Sequence, residues 1–543
     1  MTEVASLRPL AAVLVSAVAV IAIVASHRRP NVREAWTMLA AFVKFGVVAS
    51  MAPGVLNGTV YVTDLGALAP GVELSLRADA LGVLFALLAS LLWILTSLYS
   101  IGYMRGLDEG SQTRYFAAFA ASLSATMGIA FASNLLVLFV FYELLTVATY
   151  PLVAHDETQE ARAAGRKYLA YTFGGGVAVF TGTVFVFLLT GTVDLTAGGI
   201  EALATADSNA ARLAFALLAG GFSVKAAVMP LHSWLPDAMV APTPVSGLLH
   251  AVAVVKSGAF GVARVVLDVF GPEAVADLGA GLPLAAFAAF TFIAASVIAL
   301  RKDNLKRRLA YSTIAQLSYI VMGLGLLSPA ALVGGLLHIP AHAFMKLTLF
   351  FCAGAIHVET HTDDISRMAG IGKRMPLTMA AFGVASLGMA GIPLLAGFVS
   401  KWYLLVGSFE AGHAVFAFAL LLSGVFNIAY FWPVVYQAFF ETQDEADEKP
   451  VVDADLGGYW GGVPEHYTPT PASPATDGGH TEGHGDGDGW ENAGWRGAET
   501  TPFMLLPVLG AAAGAVVLGV APARAYFLRV VSLIVENVTG VVV

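Results

Sequence analysis

The sequence predicts an all-α membrane protein of about fourteen transmembrane helices, with two inverted five-helix repeats and broken helices 7 and 12. Three observations predict it. The 543 residues are 57% hydrophobic and only 12% charged, whereas soluble domains carry roughly twice that charged fraction. Apolar runs of about 20 residues, the length that crosses a ~30 Å hydrocarbon core, recur along the chain. Lysine and arginine gather in every second connecting loop. This composition excludes a water-soluble enzyme, a disordered scaffold and a nucleic-acid binder. The single cysteine, Cys352, excludes a disulfide framework and a Cys-ligated cluster. No nucleotide, flavin or phosphate-loop motif is present, so neither cofactor nor metal is expected.

Spans are expected near 8–26, 35–54, 79–100, 115–132, 134–153, 168–190, 213–229, 244–263, 282–300, 308–326, 331–354, 378–406, 412–439 and 503–522. The first is too long, and too weakly preceded by basic charge, for a cleaved signal peptide. Segment 58–77 alternates in the manner of strands and carries turn residues, which suits an extracellular hairpin. Gly391 and Pro393 interrupt the run 378–406. Segment 441–500 holds 14 Asp/Glu against 2 Lys/Arg, so the chain's net charge of −9 is the acidity of that one stretch. Rich in Gly and Pro, it cannot bury a core. His480 and His484 within it invite a metal reading, but a solvated hydrophilic loop is the simpler one. The organisation that follows is 1–110, three helices with the hairpin; 111–270 and 271–440, the two repeats; 441–500, the acidic loop; and 501–543, a last helix with a short tail.

Loops 27–34, 101–114, 155–167, 301–308 and 357–376 contain 16 Lys/Arg, and the opposite set contains 5. The positive-inside rule places the first set in the cytoplasm. A multi-pass protein of the cell membrane is expected, with loop 441–500 cytoplasmic and both termini outside.

Six basic residues do not fit the loops: Arg8, Lys44, Lys225, Lys256, Lys346 and Lys401. Arg8 sits at a span end and can snorkel. An intramembrane lysine costs about 2.5–3.5 kcal/mol on insertion scales, so several together need partners or water. Glu143 stands equally deep. His250, His338, His342 and His357 lie in or at the ends of spans 8 and 11, and His232 follows the proline break of span 7. His338, His342 and Lys346 are spaced four apart and share one helix face. His250 and Lys256 are six apart and should point to different neighbours. Lys225 precedes Pro230 by five residues, and Lys401 follows Pro393 by eight. Proline-broken segments in corresponding halves mark a transporter built from repeats. Five spans per repeat, 4–8 and 9–13, is an odd number, so the halves would be inverted.

Lysine releases its proton readily when buried, whereas arginine does not, and histidine passes protons near neutral pH. A row of Lys, His and Lys with Glu143 is therefore a candidate proton path. A single buried Lys–Glu pair could instead be a packing lock. A metal held by His338 and His342 lacks a third ligand of obvious spacing.

The stretches FVFYELLTVATYPLV (139–153), VKAAVMPLHSWLPDAMVAPTPVSGLLHAVAVVKSG (224–258), DNLKRRLAYSTIAQLSYIVMG (303–323), HIPAHAFMKLTLFFCAGAI (338–356) and GIPLLAGFVSKWYLL (391–405) carry a resemblance. Through them the chain resembles the antiporter-like membrane subunits shared by respiratory complex I, Mrp-type multisubunit cation/proton antiporters and membrane-bound hydrogenases. The resemblance implies that Glu143 pairs with Lys225, that Lys256 is the central relay lysine, and that Lys401 is the terminal charge. His250, His338 and His342 would stand between them, with Lys346 and His232 as further relay groups. The short tail and the stretches AYSTIAQLSYIVMG, IHVETHTDDISRM and NIAYFWPVVYQAFF resemble the D-type Mrp subunit most. The implied function is proton translocation coupled to Na+ or K+ antiport, with other membrane subunits as partners. The alternative is a proton-pumping subunit of an NADH–quinone oxidoreductase or hydrogenase, any redox chemistry lying on partners. The acidic loop and Lys44 are departures from the pattern.

Overall fold

The computed structural model describes residues 2–69, 72–442, 490, 499–523 and 526–542. His480, His484 and most of the acidic segment lie outside the described residues. The numbered helices are α1 (Arg8–Ala25), α2 (Pro30–Ala49), α3 (Ala80–Gly106), α4 (Gln112–Ala130), α5 (Leu135–Val153), α6 (Gln159–Thr190), α7 (Ser208–Lys225) and α8 (Val254–Arg264). They continue with α9 (Gly281–Leu300), α10 (Leu305–Leu326), α11 (Pro329–Thr360), α12 (Pro376–Ala390), α13 (Ala396–Glu410), α14 (Ala414–Phe440), α15 (Pro502–Val520) and α16 (Phe527–Thr539).

Their starts follow local chemistry. Asp79, Asn134, Thr158 and Ser328 each accept a hydrogen bond from the backbone N–H three residues on, opening α3, α5, α6 and α11. Proline occupies the first turn of α1, α2, α11, α12 and α15, where its missing N–H costs nothing.

Ten helices among the described residues are long and apolar enough to cross a membrane. Four expected spans, 115–132, 213–229, 244–263 and 378–406, are not among them, and three of these are broken. The segment begun by α7 stops at Lys225 and runs through turns to a short helix, Trp234–Asp237. The next is Thr243–Gly247, a π turn Leu248–Val252, α8, and a second π turn Val265–Val269. The third divides into α12 and α13 at Gly391, whose φ of 95° suits only glycine. A Cβ on Gly397 would overlap the Gly388 carbonyl oxygen, so the two pieces abut only because position 397 carries no side chain.

α10 and α11 form the centre and are almost wholly buried. Around them, α1, α2, α6, α9 and α14 turn large apolar side chains outward, among them Ile21, Phe42, Leu188, Phe290 and Phe418. That is the pattern of helices bounded by lipid.

The segment expected as a hairpin is one. Strand β2 (Thr59–Ala69) pairs antiparallel with β3 (Val72–Ala78), Thr63 facing Leu76. The sequence reading missed its third strand, β1 (Thr2–Ala5), parallel to β2 with Thr2 opposite Thr59. Two helices are much longer than expected. α6 starts at Gln159 and carries Arg162, Arg166 and Lys167 on its first turns; α11 passes through Pro340 without ending. The tail also contains α16, amphipathic, with Val530, Val531, Ile534 and Val535 buried.

Candidate functional site

Lys225, Lys256 and Lys346 are fully buried, Lys401 nearly so, and His250, His338 and His342 fully so. The site is built on the helix breaks. Lys225 ends α7, and the indole Nε1 of Trp234 donates to the Val224 carbonyl at 2.9 Å, satisfying one of the orphan acceptors there. The Lys225 ammonium donates to the Tyr142 carbonyl at 2.6 Å and lies 3.4 Å from the centroid of the Tyr142 ring. A charged hydrogen bond contributes about 1.5–3 kcal/mol and a desolvated cation–π contact about 2. Together they offset the cost of about 2.5–3.5 kcal/mol for burying the lysine.

Glu143 is only half-buried, and both its carboxylate oxygens lack a hydrogen-bond partner. The expected direct pair with Lys225 is not formed: no ion pair joins them among the described residues. Neighbouring positions on a helix diverge by about 100°. Tyr142 therefore takes the lysine, while the carboxylate turns to α6 and rests in the notch left by Gly176.

Lys256 Nζ and His342 Nδ1 are 2.8 Å apart. The His250 ring packs against Phe350 with centroids 4.8 Å apart and planes tilted by 38°, and both its nitrogens are unpartnered. Lys256 and His250 thus both meet α11, not different neighbours as their six-residue spacing suggested. The cause is the π turn Leu248–Val252, whose wider winding changes the angle between them.

On α11, His338, His342 and Lys346 share a face but serve three partners. His338 Nδ1 lies 2.8 Å from Ser400 Oγ and Nε2 lies 2.9 Å from Gln316 Oε1. Lys346 donates to the Leu309 carbonyl at 3.1 Å and to Ser312 Oγ. Lys401, on α13, donates to the Met389 and Ala390 carbonyls at the end of α12, at 2.6 and 3.3 Å, and stands 5.0 Å from the Tyr319 ring centroid. His232 is half-buried, its ring 6.3 Å from Tyr311, apart from the buried set.

The sequence reading missed the neutral members. Gln316 donates to Asn427 Oδ1 at 3.0 Å; Asn427 donates to Tyr319 OH at 3.2 Å; Tyr319 OH lies 2.6 Å from Ser423 Oγ. With Gln316 donating onward through its amide, its carbonyl oxygen is left to accept from His338, so His338 carries its proton on Nε2. Amide side chains deep in spans 10 and 13 were the available signal. Lys44 is also explained: fully buried, it donates to the Leu123 carbonyl at 3.0 Å and lies 4.9 Å from the Trp93 ring centroid.

Arg264, expected in an external loop, is fully buried, because the second π turn extends its segment to Val269. Its guanidinium forks onto Asp79 at 2.6 and 2.9 Å and reaches Asp268 at 2.7 Å. This ties α8 to the start of α3.

A family model described as NADH:quinone oxidoreductase/Mrp antiporter, TM, matches residues 132–427. The NADH-quinone oxidoreductase subunit N of Desulforudis audaxviator is 34% identical over 373 residues, covering 68% of this chain and 73% of that protein. A relative from Rhizobium meliloti, named as the A/B component of a probable K(+)/H(+) antiporter, is 34% identical over 415 residues. That match covers 74% of this chain, which spans only 40% of the relative. A chain in the structure of the Mrp complex from Dietzia sp. superposes with a TM-score of 0.78 at 20% identity, covering 98% of both chains. At that identity the likeness is one of fold.

Proposed function

Because the chain belongs to the NADH:quinone oxidoreductase/Mrp antiporter transmembrane family, we propose that it is the proton-translocating subunit of a multisubunit cation/proton antiporter. One observation carries the reading: four buried lysines and three buried histidines lie on the broken segments and on the continuous central helix α11, with Lys256 and His342 in direct contact at 2.8 Å. Packing alone does not call for so many ionisable groups at membrane depth, where each is expensive.

The path begins at Glu143 and Lys225. It continues through His250, Lys256, His342 and His338, and reaches Lys401 beside Ser400. Lys346 joins from α11, and His232 lies near the entrance. The unpartnered nitrogens of His250 and His342 Nε2 have the chemistry of water-binding positions. Motion of the Glu143 carboxylate toward or away from Lys225 changes how firmly that lysine holds its proton. The broken segments complete fourteen spans, arranged as two inverted repeats over 111–270 and 271–440. The basic loops and the acidic segment face the cytoplasm, and both termini face out. Na+ or K+ is the exchanged cation, and the chain occupies the place of a D-type subunit.

The relative named as an NADH-quinone oxidoreductase subunit favours a second reading, a proton-pumping subunit of a redox complex. Both readings use the same path. Lys225→Ala and Glu143→Ala are each expected to lower cation-dependent dissipation of a pH gradient in everted vesicles at least tenfold, with membrane insertion unchanged. Near-normal rates in both variants would remove the pair from the mechanism. Cation-independent proton movement that requires a quinone-reducing partner would favour the second reading.

A further inference from the structure

We propose that Glu109, His155 and Asp156 form a binding site for a divalent transition-metal ion of the zinc class, outside the relay. Glu109 lies in the loop between α3 and α4; His155 and Asp156 follow α5. An imidazole nitrogen of His155 and one carboxylate oxygen from each acid lie within 4.8 Å of one another. They line a cavity of about 360 Å3.

The acids alone would prove little, since acidic surface groups are common. The second observation is His155 itself. It is only 4% exposed, and its Nδ1 is buried without a hydrogen-bond partner. The ring packs edge to face against Tyr115, with centroids 5.6 Å apart, which holds its plane and leaves Nδ1 free to serve as a ligand. Neither Glu109 nor Asp156 forms an ion pair among the described residues. The nearby Arg114 is already engaged, by ion pairing with Glu157 and by donation to the His155 carbonyl at 2.7 Å. Two carboxylates outside any ion pair therefore stand beside one imidazole, with Lys306 the cationic group whose field reaches both.

That donor set selects the ion. Imidazole nitrogen suits zinc and its transition-metal neighbours, whereas sodium, magnesium and calcium take oxygen donors. Zinc bonds of about 2.0–2.2 Å place tetrahedral ligands roughly 3.3 Å apart, so rotation of the Glu109 and Asp156 side chains closes the observed spacing. The fourth position would hold water. A bound ion would fasten the connection before α4 to the one after α5, the helix that carries Glu143.

The test is calorimetric titration of the purified, untagged full chain with zinc chloride near pH 7.5. A His466→Gln/His480→Gln/His484→Gln background removes the loop histidines from the count. The background should bind one saturable equivalent. His155→Gln, and separately Glu109→Gln/Asp156→Asn, should weaken it at least tenfold. The second pair alters half-buried and exposed positions, so it reports even if the buried His155 variant fails to fold. An unchanged isotherm in the Glu109→Gln/Asp156→Asn chain, or no saturable equivalent in the background, would overturn the site.

Discussion

Glu499 offers the sharpest quantitative test of how this bundle is held together. It stands just before α15, almost fully buried, and its carboxylate accepts from the backbone N–H groups of Leu377 and Thr378, both at 3.1 Å. Those groups open α12, whose far end supplies the carbonyls that hold Lys401. A helix N-terminus favours the charged form by at most about 2 kcal/mol, and the two N–H donors act in the same direction. Burial opposes both and wins, pushing the Glu499 carboxyl up to about 7 from an ordinary 4.5. For an acid raised on folding, the stabilisation is fully present below the unfolded pKa and is lost as pH rises through the folded one. The window is therefore about pH 4.5 to 7, and the full difference is about 3.5 kcal/mol at roughly 1.4 kcal/mol per unit. Glu499→Gln keeps an acceptor for the same N–H groups and cannot ionise. The variant should match wild type near pH 4.5 and exceed it above pH 8. In thermal unfolding of the detergent-solubilised protein the gap should open to about 3–6 °C, scaling the usual shift per kcal/mol to a chain this long. A gap that stays constant with pH would refute the argument that burial controls this carboxyl.

Lys44→Met should leave transport in vesicles unchanged and the melting temperature equal or higher, since a buried cation replaced by an apolar chain of similar volume is often neutral or stabilising; lost transport would place Lys44 in the path. Gly176→Ala puts a methyl where the Glu143 carboxylate now rests, so transport should fall about tenfold with insertion intact, and wild-type rates would show that the notch does not position Glu143. Gln316→Leu strands His338 Nε2, while Asn427 Oδ1 keeps the Tyr430 hydroxyl as a donor. At about 1–3 kcal/mol per unsatisfied buried group, a lower melting temperature is expected, and no change would dissolve the network.

The sequence disclosed what depends on composition and spacing. Apolar runs located the helices because bilayer thickness fixes their length, and charge out of place located Lys225, Lys256, Lys346 and Lys401. What it could not disclose depends on winding and on long-range contact. The π turn at Leu248–Val252 has no sequence mark, so the direction of His250 relative to Lys256 was misjudged. Arg264 looked like a loop residue because its partner Asp79 lies 185 positions away. Glu143 and Lys225 were expected to touch, but which face of α5 the lysine takes depends on the Tyr142 ring and on the space above Gly176. Gln316 and Asn427 carry no charge, and a search for ionisable groups passes over them.

The contacts also limit how many protons the strip can hold. Four ammonium groups charged together would cost about 10–14 kcal/mol to insert, as much as the whole stability of a typical domain, and the one carboxylate nearby, Glu143, is only half-buried. The Lys256–His342 contact tightens that limit. A hydrogen bond between two nitrogens needs one lone pair, so at 2.8 Å a protonated lysine requires a neutral imidazole acceptor, and an imidazole donor requires a neutral amine. With both protonated, two donors would face each other and the contact would open. One proton therefore joins the pair and a second drives it apart, so in the proposed path a charge arriving from the Lys225 side would be accommodated only as another leaves toward His338 and Lys401. If the strip carries protons as proposed, hydrogen-bond valence at this one contact would make it pass them on in sequence instead of filling with them.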